Sequence, residues 1–136
     1  MAKVLGIDYG EKRVGVAISD SLQIIASSLT TIETKQFFLF LIELLQKEDI
    51  DRFVVGEPKN LDGTATDSTE MTENFVEKLS IKYPNIPIKR IDERFTSKIA
   101  KQIILDAGIK KSKRRDKRLV DKVSAAIILQ SHLDSN

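Results

Sequence analysis

Apolar positions recur with two periods along this chain, and the switches between them outline a fold. Val4 to Asp8 is a nearly continuous apolar run closed by an acid, the pattern of a buried strand. Arg13 to Ser19 alternates Val14, Val16 and Ile18 with small or polar residues and reads as a second strand. Tyr9-Gly10-Glu11-Lys12 between them reads as a tight turn, with Gly10 free to take positive φ, so the two strands form a hairpin. Ile24 to Ile32 is rich in β-branched residues and predicts a third strand. The period then changes. Phe37, Phe38, Leu41, Leu44 and Leu45 fit one wide apolar face of a helix capped by Thr34 and running to about Lys47. Asp51 to Gly56 is a fourth strand, followed by a loop from Glu57 to Gly63. Asp67 and Glu70 form a capping box that opens a helix to about Ser80. Tyr83-Pro84-Asn85 breaks the chain before a fifth strand, Ile86 to Ile91. Thr96 or Ser97 starts a helix ending near Gly108, and a last helix runs from about Lys117 to Leu133.

A three-strand meander followed by strand–helix crossovers predicts an α/β architecture, a mixed sheet with helices on its faces. The 136 residues amount to one domain, 1–136, with no repeat, low-complexity tract or linker. The longest apolar run, Phe37 to Ile42, is far short of the roughly 20 residues of a membrane span. The first residues carry an acid within an apolar strand and no cleavage-site pattern, so they read as a strand and not a signal peptide. The expected location is the cytoplasm. Phe37, Phe38, Leu39 and Phe40 are apolar around more than one helix face, which fits deep core or a dimer contact; the expected state is monomer or homodimer.

Composition narrows the chemistry. With no Cys, disulfides, zinc–thiolate centres and Cys nucleophiles are excluded. A single His, His132, argues against a His-rich metal site and a Ser-His-Asp triad. Hydrophobic residues make up 41% and charged residues 31%, which reads as a soluble, folded chain. Net charge is only +2, but its distribution is uneven. Between Lys110 and Arg118 stand seven bases (Lys110, Lys111, Lys113, Arg114, Arg115, Lys117 and Arg118) and one acid, Asp116, for a local charge of +6. The rest of the chain, fifteen bases against nineteen acids, carries −4. Six net charges in nine residues repel one another unless counter-charge is near. A phosphate backbone supplies it and gains counterion-release entropy, so the strip reads as a nucleic-acid contact. With no Trp and two Tyr, the sequence shows no aromatic platform for stacking single-stranded bases.

Three segments hold candidate catalytic acids. Asp8 ends an apolar strand, where a carboxylate is costly to bury unless it is paired or metal-bound. Gly6, Gly10 and Gly15 leave room beside it. Asp92 and Glu93 end the fifth strand and point to opposite faces, so at most one of them joins Asp8. Alternation puts Asp92 on the face of Ile86 and Ile88 and Glu93 on the other; the pattern does not choose between them. Asp121 lies in the last helix, with Ser124, Ala125 and Ile128 on its face, small enough for close packing on a sheet. If acids from a first strand, a later strand and a last helix converge, they make an oxygen-only site suited to Mg²⁺ or Mn²⁺. Such sites serve phosphoryl transfer.

Gly6-Ile7-Asp8-Tyr9-Gly10, Lys12 to Ala17 and Ser19-Asp20 resemble the signature of the YqgF (RuvX) family. Val55-Gly56-Glu57-Pro58 with Asp62-Gly63, Asp92-Glu93-Arg94-Phe95-Thr96-Ser97, and Asp121 to Gln130 resemble three further family motifs, in the same order. The resemblance spans nearly the whole chain. It implies an RNase H-like fold with a five-stranded mixed sheet, Asp8, Glu93 and Asp121 as metal-binding acids, one or two Mg²⁺ or Mn²⁺ ions, and nuclease activity in 5′-end processing of the 16S rRNA precursor. The implied partners are precursor rRNA ahead of branched DNA, and the small ribosomal subunit. Glu57 departs from the Leu usual at that family position; it is either a fourth site acid or a solvated side chain. Arg13 and Arg94 are candidate phosphate clamps, because Arg contacts phosphate bidentately.

Three other functions compete with a precursor-rRNA nuclease. A Holliday-junction-type resolvase would use the same acids on branched DNA, and phosphate contacts alone do not separate the two. A nucleotide-binding protein of the actin and sugar-kinase type would begin with a similar hairpin but needs two such domains. A non-catalytic RNA or ribosome assembly factor would keep the acids only for the fold.

Overall fold

The computed structural model describes residues 2–58, 66–93 and 117–135, with 67 and 117–122 described by their backbone. Five strands form one sheet: β1 (Lys3–Asp8), β2 (Arg13–Ser19), β3 (Ala26–Glu33), β4 (Ile50–Glu57) and β5 (Ile88–Asp92). Their order is β3-β2-β1-β4-β5. β1 pairs antiparallel with β2 and β2 with β3, whereas β4 runs parallel to both β1 and β5. The mixed α/β sheet expected from the meander and crossovers is therefore present. Three helices are described: α1 (Phe37–Lys47), α2 (Asp67–Lys82) and α3 (Lys117–Asp134). The helix expected between Ser97 and Gly108 lies outside the described residues.

Strand alternation divides the core between the two sheet faces. Leu5, Ile7, Val14, Val16, Phe53 and Val55 pack with Phe37 and Leu41 of α1 and Phe75 and Leu79 of α2. Val4, Ala17 and Val54 pack with Ala125, Ile128, Leu129 and Leu133 of α3. Within the Phe37–Phe40 cluster, Phe37 is fully buried, Phe38 and Phe40 pack against the core, and Leu39 is 64% exposed.

Two glycines set close approaches. A Cβ on Gly6 would stand 2.7 Å from Leu129 Cβ and 3.2 Å from the Ala125 carbonyl oxygen, so Gly6 fixes how near α3 lies to β1. Gly6→Ala must push the helix outward, because neither contact is the tip of a flexible side chain. Overpacking of this kind costs about 1–3 kcal/mol, and thermal unfolding is expected to shift down by roughly 3–12 °C. An unchanged midpoint in calorimetry would refute this account. Gly10 has a steric role different from the positive φ expected of it: a Cβ there would meet the Arg13 carbonyl oxygen at 2.5 Å, across the hairpin.

Two cap assignments differ from the sequence expectation. The Thr34 hydroxyl donates to the Gly10 carbonyl at 2.7 Å, tying the β1–β2 turn to the chain entering α1. A 3-10 turn over Thr34–Gln36 precedes that helix. α2 is capped by Thr66 and Thr69 in a reciprocal box, in place of Asp67 and Glu70. Hydroxyls serve as well as carboxylates for that geometry.

At the far end of α3, His132 is 7% exposed, with an Nε2 that has no hydrogen-bond partner among the described residues. Burial holds its pKa below the ordinary value, and the charges of Arg52 and Lys89 push the same way against Asp51. The fold therefore accepts the neutral ring. Below about pH 6.5 the unfolded chain binds a proton that the native state refuses. Stability is expected to be full above that pH, to fall as pH drops through the window, and to level off below the native pKa. Denaturant titrations across pH 5–8 should show this slope, and His132→Leu should flatten it.

Candidate active site

The sheet register brings two of the expected acids to one place. Ile7 stands beside Val55 in the parallel pairing of β1 and β4, so the next position sets Asp8 beside Gly56. Gly56 in turn stands beside Ile91 of β5. Asp8 alternates with Val4 and Gly6 and lies on the α3 side of the sheet. Glu93 follows β5. Its backbone N–H donates to the Glu57 carbonyl at 3.0 Å, which prolongs the ladder past the strand end. Its side chain then folds over Gly56: a Cβ on Gly56 would stand 2.5 Å from Glu93 Cδ and 2.7 Å from Oε2. Gly56 shares its face with Val54 of the α3-side core, so the Glu93 carboxylate occupies the face of Asp8. The missing side chain at Gly56 is the space the carboxylate uses.

The remaining acids sort by the same alternation. Asp92 shares its parity with Ile88 and Arg90 and stands beside Glu57, whose parity is that of Phe53 and Val55. Glu57 and Asp92 thus neighbour each other on the α1–α2 side, away from Asp8 and Glu93. Of the two acids the sequence left open, Glu93 shares the face of Asp8.

α3 runs opposite to β1 along this face. Ala125 and Leu129 lie over Gly6, and the Gln130 side chain receives the Ala26 N–H at 2.8 Å and donates to the Ile24 carbonyl at 2.9 Å, near the start of β1. Asp121 precedes Ala125 by one turn, about 6 Å along the axis, toward the end of the sheet where Asp8 stands. Ser124, Ala125 and Ile128, the residues of its helical row, are buried. The side chain of Asp121 lies outside the described residues, as do those of Lys117 and Arg118, all of Arg94, and Lys110, Lys111, Lys113, Arg114 and Arg115. Arg13 opens β2 with the parity of Gly15, the partner of Asp8, and so belongs to the same face and end.

Arg90 gave no signal in the sequence beyond its charge. Its Nε donates to the Val55 carbonyl at 3.3 Å, its Nη2 to the Gly56 carbonyl at 3.2 Å, and its Nη1 to Glu73 at 2.7 Å. One guanidinium thereby ties the end of β4 to α2 and steadies the backbone on which the Glu93 carboxylate rests.

Among the described residues no three His, Cys, Asp or Glu side chains gather as a metal-binding group. Asp8 and Glu93 supply two carboxylates on one face, and the glycine cradle keeps the second close to the sheet. Oxygen-only donors of this kind fit a hard divalent cation.

The family model described as "RuvX: Holliday junction resolvase" matches residues 2–135. A candidate pre-16S rRNA nuclease of Christiangramia forsetii is 49% identical over 133 residues, covering 98% of each chain. One of Flavobacterium psychrophilum is 47% identical, covering 98% of this chain and 97% of the relative. Among solved structures, the RuvC of T. thermophilus in complex with a Holliday junction superposes with a TM-score of 0.57 at 16% identity, covering 98% of this chain and 96% of that one. The fowlpox virus resolvase in its junction complex gives 0.55 at 14% identity, covering 98% and 97%. At such identities the likeness shows a shared fold, the RNase H-like sheet of the resolvases. A family match across nearly the whole chain and near-half identity to full-length relatives carry more: the chain belongs to the RuvX family.

Proposed function

We propose that this protein is a divalent-metal-dependent nuclease that hydrolyses phosphodiester bonds in structured RNA, with the 5′ region of the 16S rRNA precursor as its substrate. The observation that carries the reading is the Glu93 carboxylate lying over Gly56 on the face of Asp8. Relatives of 42–49% identity named as candidate pre-16S rRNA nucleases support the substrate. The work belongs in the cytoplasm, with the small ribosomal subunit or its precursor as partner.

Asp8, Glu93 and Asp121 would hold one or two Mg²⁺ or Mn²⁺ ions. An ion bound there would supply Lewis acidity, which favours deprotonation of water and stabilises negative charge on the leaving oxygen. The carboxylates themselves set the charge and geometry of that end of the sheet. Gly56 admits the Glu93 carboxylate, and Arg90 holds the strand beneath it. Arg13 orients the phosphodiester by charge-assisted hydrogen bonds. Arg94 and the strip from Lys110 to Arg118 grip flanking phosphates, gaining affinity from counterion release. Glu57 and Asp92 have no part in this chemistry.

A second reading, branched-DNA resolution, draws on the description of the matching family. Incubation of the purified protein with a 5′-extended 16S precursor fragment and with a four-way DNA junction, each with and without Mg²⁺ or Mn²⁺, separates the two. Metal-dependent cleavage of the RNA alone is the expected result. Cleavage of the junction alone would favour resolution, and binding without cleavage of either would favour an assembly factor.

A further inference from the structure

The chain passes from Asp8 directly into an aromatic cleft on the other side of the sheet. Tyr9 stacks on Phe75 of α2, with ring centroids 4.5 Å apart and planes 23° from parallel. Phe38 of α1 stands 5.9 Å from Phe75, and Lys82 lies 5.2 Å over the Phe38 ring. Tyr9, Phe38 and Phe75 line a cleft of about 430 Å³ together with Lys35 and Lys78, and none of the described residues lining it is acidic. Lys35 and Lys78 are exposed. Glu33 reaches Lys35 from outside at 3.6 Å, a solvent-exposed pair that a competing phosphate can displace.

We propose that this cleft is a subsite for a single-stranded nucleic-acid segment flanking the scissile bond, which stacks an unpaired base on Tyr9 and rests its phosphates on Lys35 and Lys78. The inference rests on the nuclease reading and adds the substrate class: a duplex or structured element with an unpaired extension. Two features favour this occupant. Aromatic faces beside lysines accept any base and its phosphate, which is how sequence-tolerant single-strand sites are built. Tyr9 is also the next residue after Asp8, and consecutive Cα atoms lie about 3.8 Å apart. A strand crossing the end of the sheet passes from the acids into the cleft without a gap. The three rings come from a turn and two helices widely separated along the chain, so no aromatic run in the sequence announced them.

The test measures binding by fluorescence anisotropy in EDTA, where no cleavage intervenes. The probes are a single-stranded oligoadenylate of about ten nucleotides, the matching DNA strand, and a blunt RNA duplex of the same length. Tyr9→Leu keeps the apolar packing and removes the stacking face. It is expected to weaken single-strand binding about tenfold, to leave duplex binding within about twofold, and to be rescued by Tyr9→Phe. The exposed double variant Lys35→Gln/Lys78→Gln should weaken the same probe and flatten its salt dependence, even if Tyr9→Leu folds poorly. Preference for the RNA or the DNA strand identifies the sugar the cleft takes. Absent single-strand binding by the wild type, equal losses on strand and duplex, or no loss in either variant would each overturn the subsite. Cleavage of a blunt duplex and an extended one at equal rates by wild type and Tyr9→Leu alike would overturn it while leaving the nuclease reading intact. Single-strand binding lost on Tyr9→Leu, in a protein that cleaves nothing, would keep the subsite and overturn the nuclease.

Discussion

Asp8→Asn is expected to lower the rate of metal-dependent cleavage by roughly three orders of magnitude while leaving nucleic-acid affinity within about threefold. The amide keeps the shape of the side chain and one acceptor oxygen. It loses the negative charge that a hard divalent cation requires, next to the Glu93 carboxylate across Gly56. Affinity is expected to hold because phosphate contacts come from the basic residues, and one acid fewer reduces repulsion of the backbone. Single-turnover cleavage and a binding titration check both, and the thermal midpoint shows that the variant is folded. A variant that cleaves at near the wild-type rate would remove Asp8 from the chemistry.

The second large effect comes from a single methyl group. Gly56→Ala places a Cβ 2.5 Å from Glu93 Cδ and 2.7 Å from Oε2, so the carboxylate must leave its seat. Displacement of a catalytic group by about 1 Å costs on the order of a hundredfold in rate. The fold should hardly notice, because Ala in a strand regains the roughly 0.5–1 kcal/mol that Gly forfeits there, which offsets the local crowding. Loss of activity with the unfolding midpoint nearly unchanged is therefore the expected signature. A double-mutant cycle with Glu93→Gln sharpens it. If Gly56→Ala acts through Glu93, the two losses fall well short of additive. Full additivity would place the defect elsewhere.

How much of this was legible from the sequence depended on the distance between the partners. The β1–β2 hairpin and the acid at its head follow from local alternation, and the register of four consecutive pairs agrees with it. The choice between Asp92 and Glu93 was open because alternation gives two faces without saying which one α3 covers. The packing of Ile91 with the α3-side core and the cradle at Gly56 put Glu93 on the face of Asp8. Asp67 and Glu70 matched a capping pattern, yet Thr66, one residue earlier, made the box, since capping depends on where the chain turns and not only on which acceptors are near. The aromatic cleft was invisible for the same reason as the Arg90 staple. Both are built from residues on separate elements that meet only after the sheet and helices pack.

The Gln130 side chain, bonded to the chain at Ile24 and Ala26, marks a contact across more than a hundred residues. The α3-side core joins positions 4, 17 and 54 to positions 125–133, so it is assembled from segments made far apart in synthesis. Such distant contacts form late and slowly, because loop closure must precede any reward. On the ribosome, β1 to β4 emerge with one apolar face bare until the last helix arrives to cover it. The nascent chain is therefore sticky over that interval. The face that carries Asp8 is covered only once α3 has been made, a built-in delay in the chain's own folding.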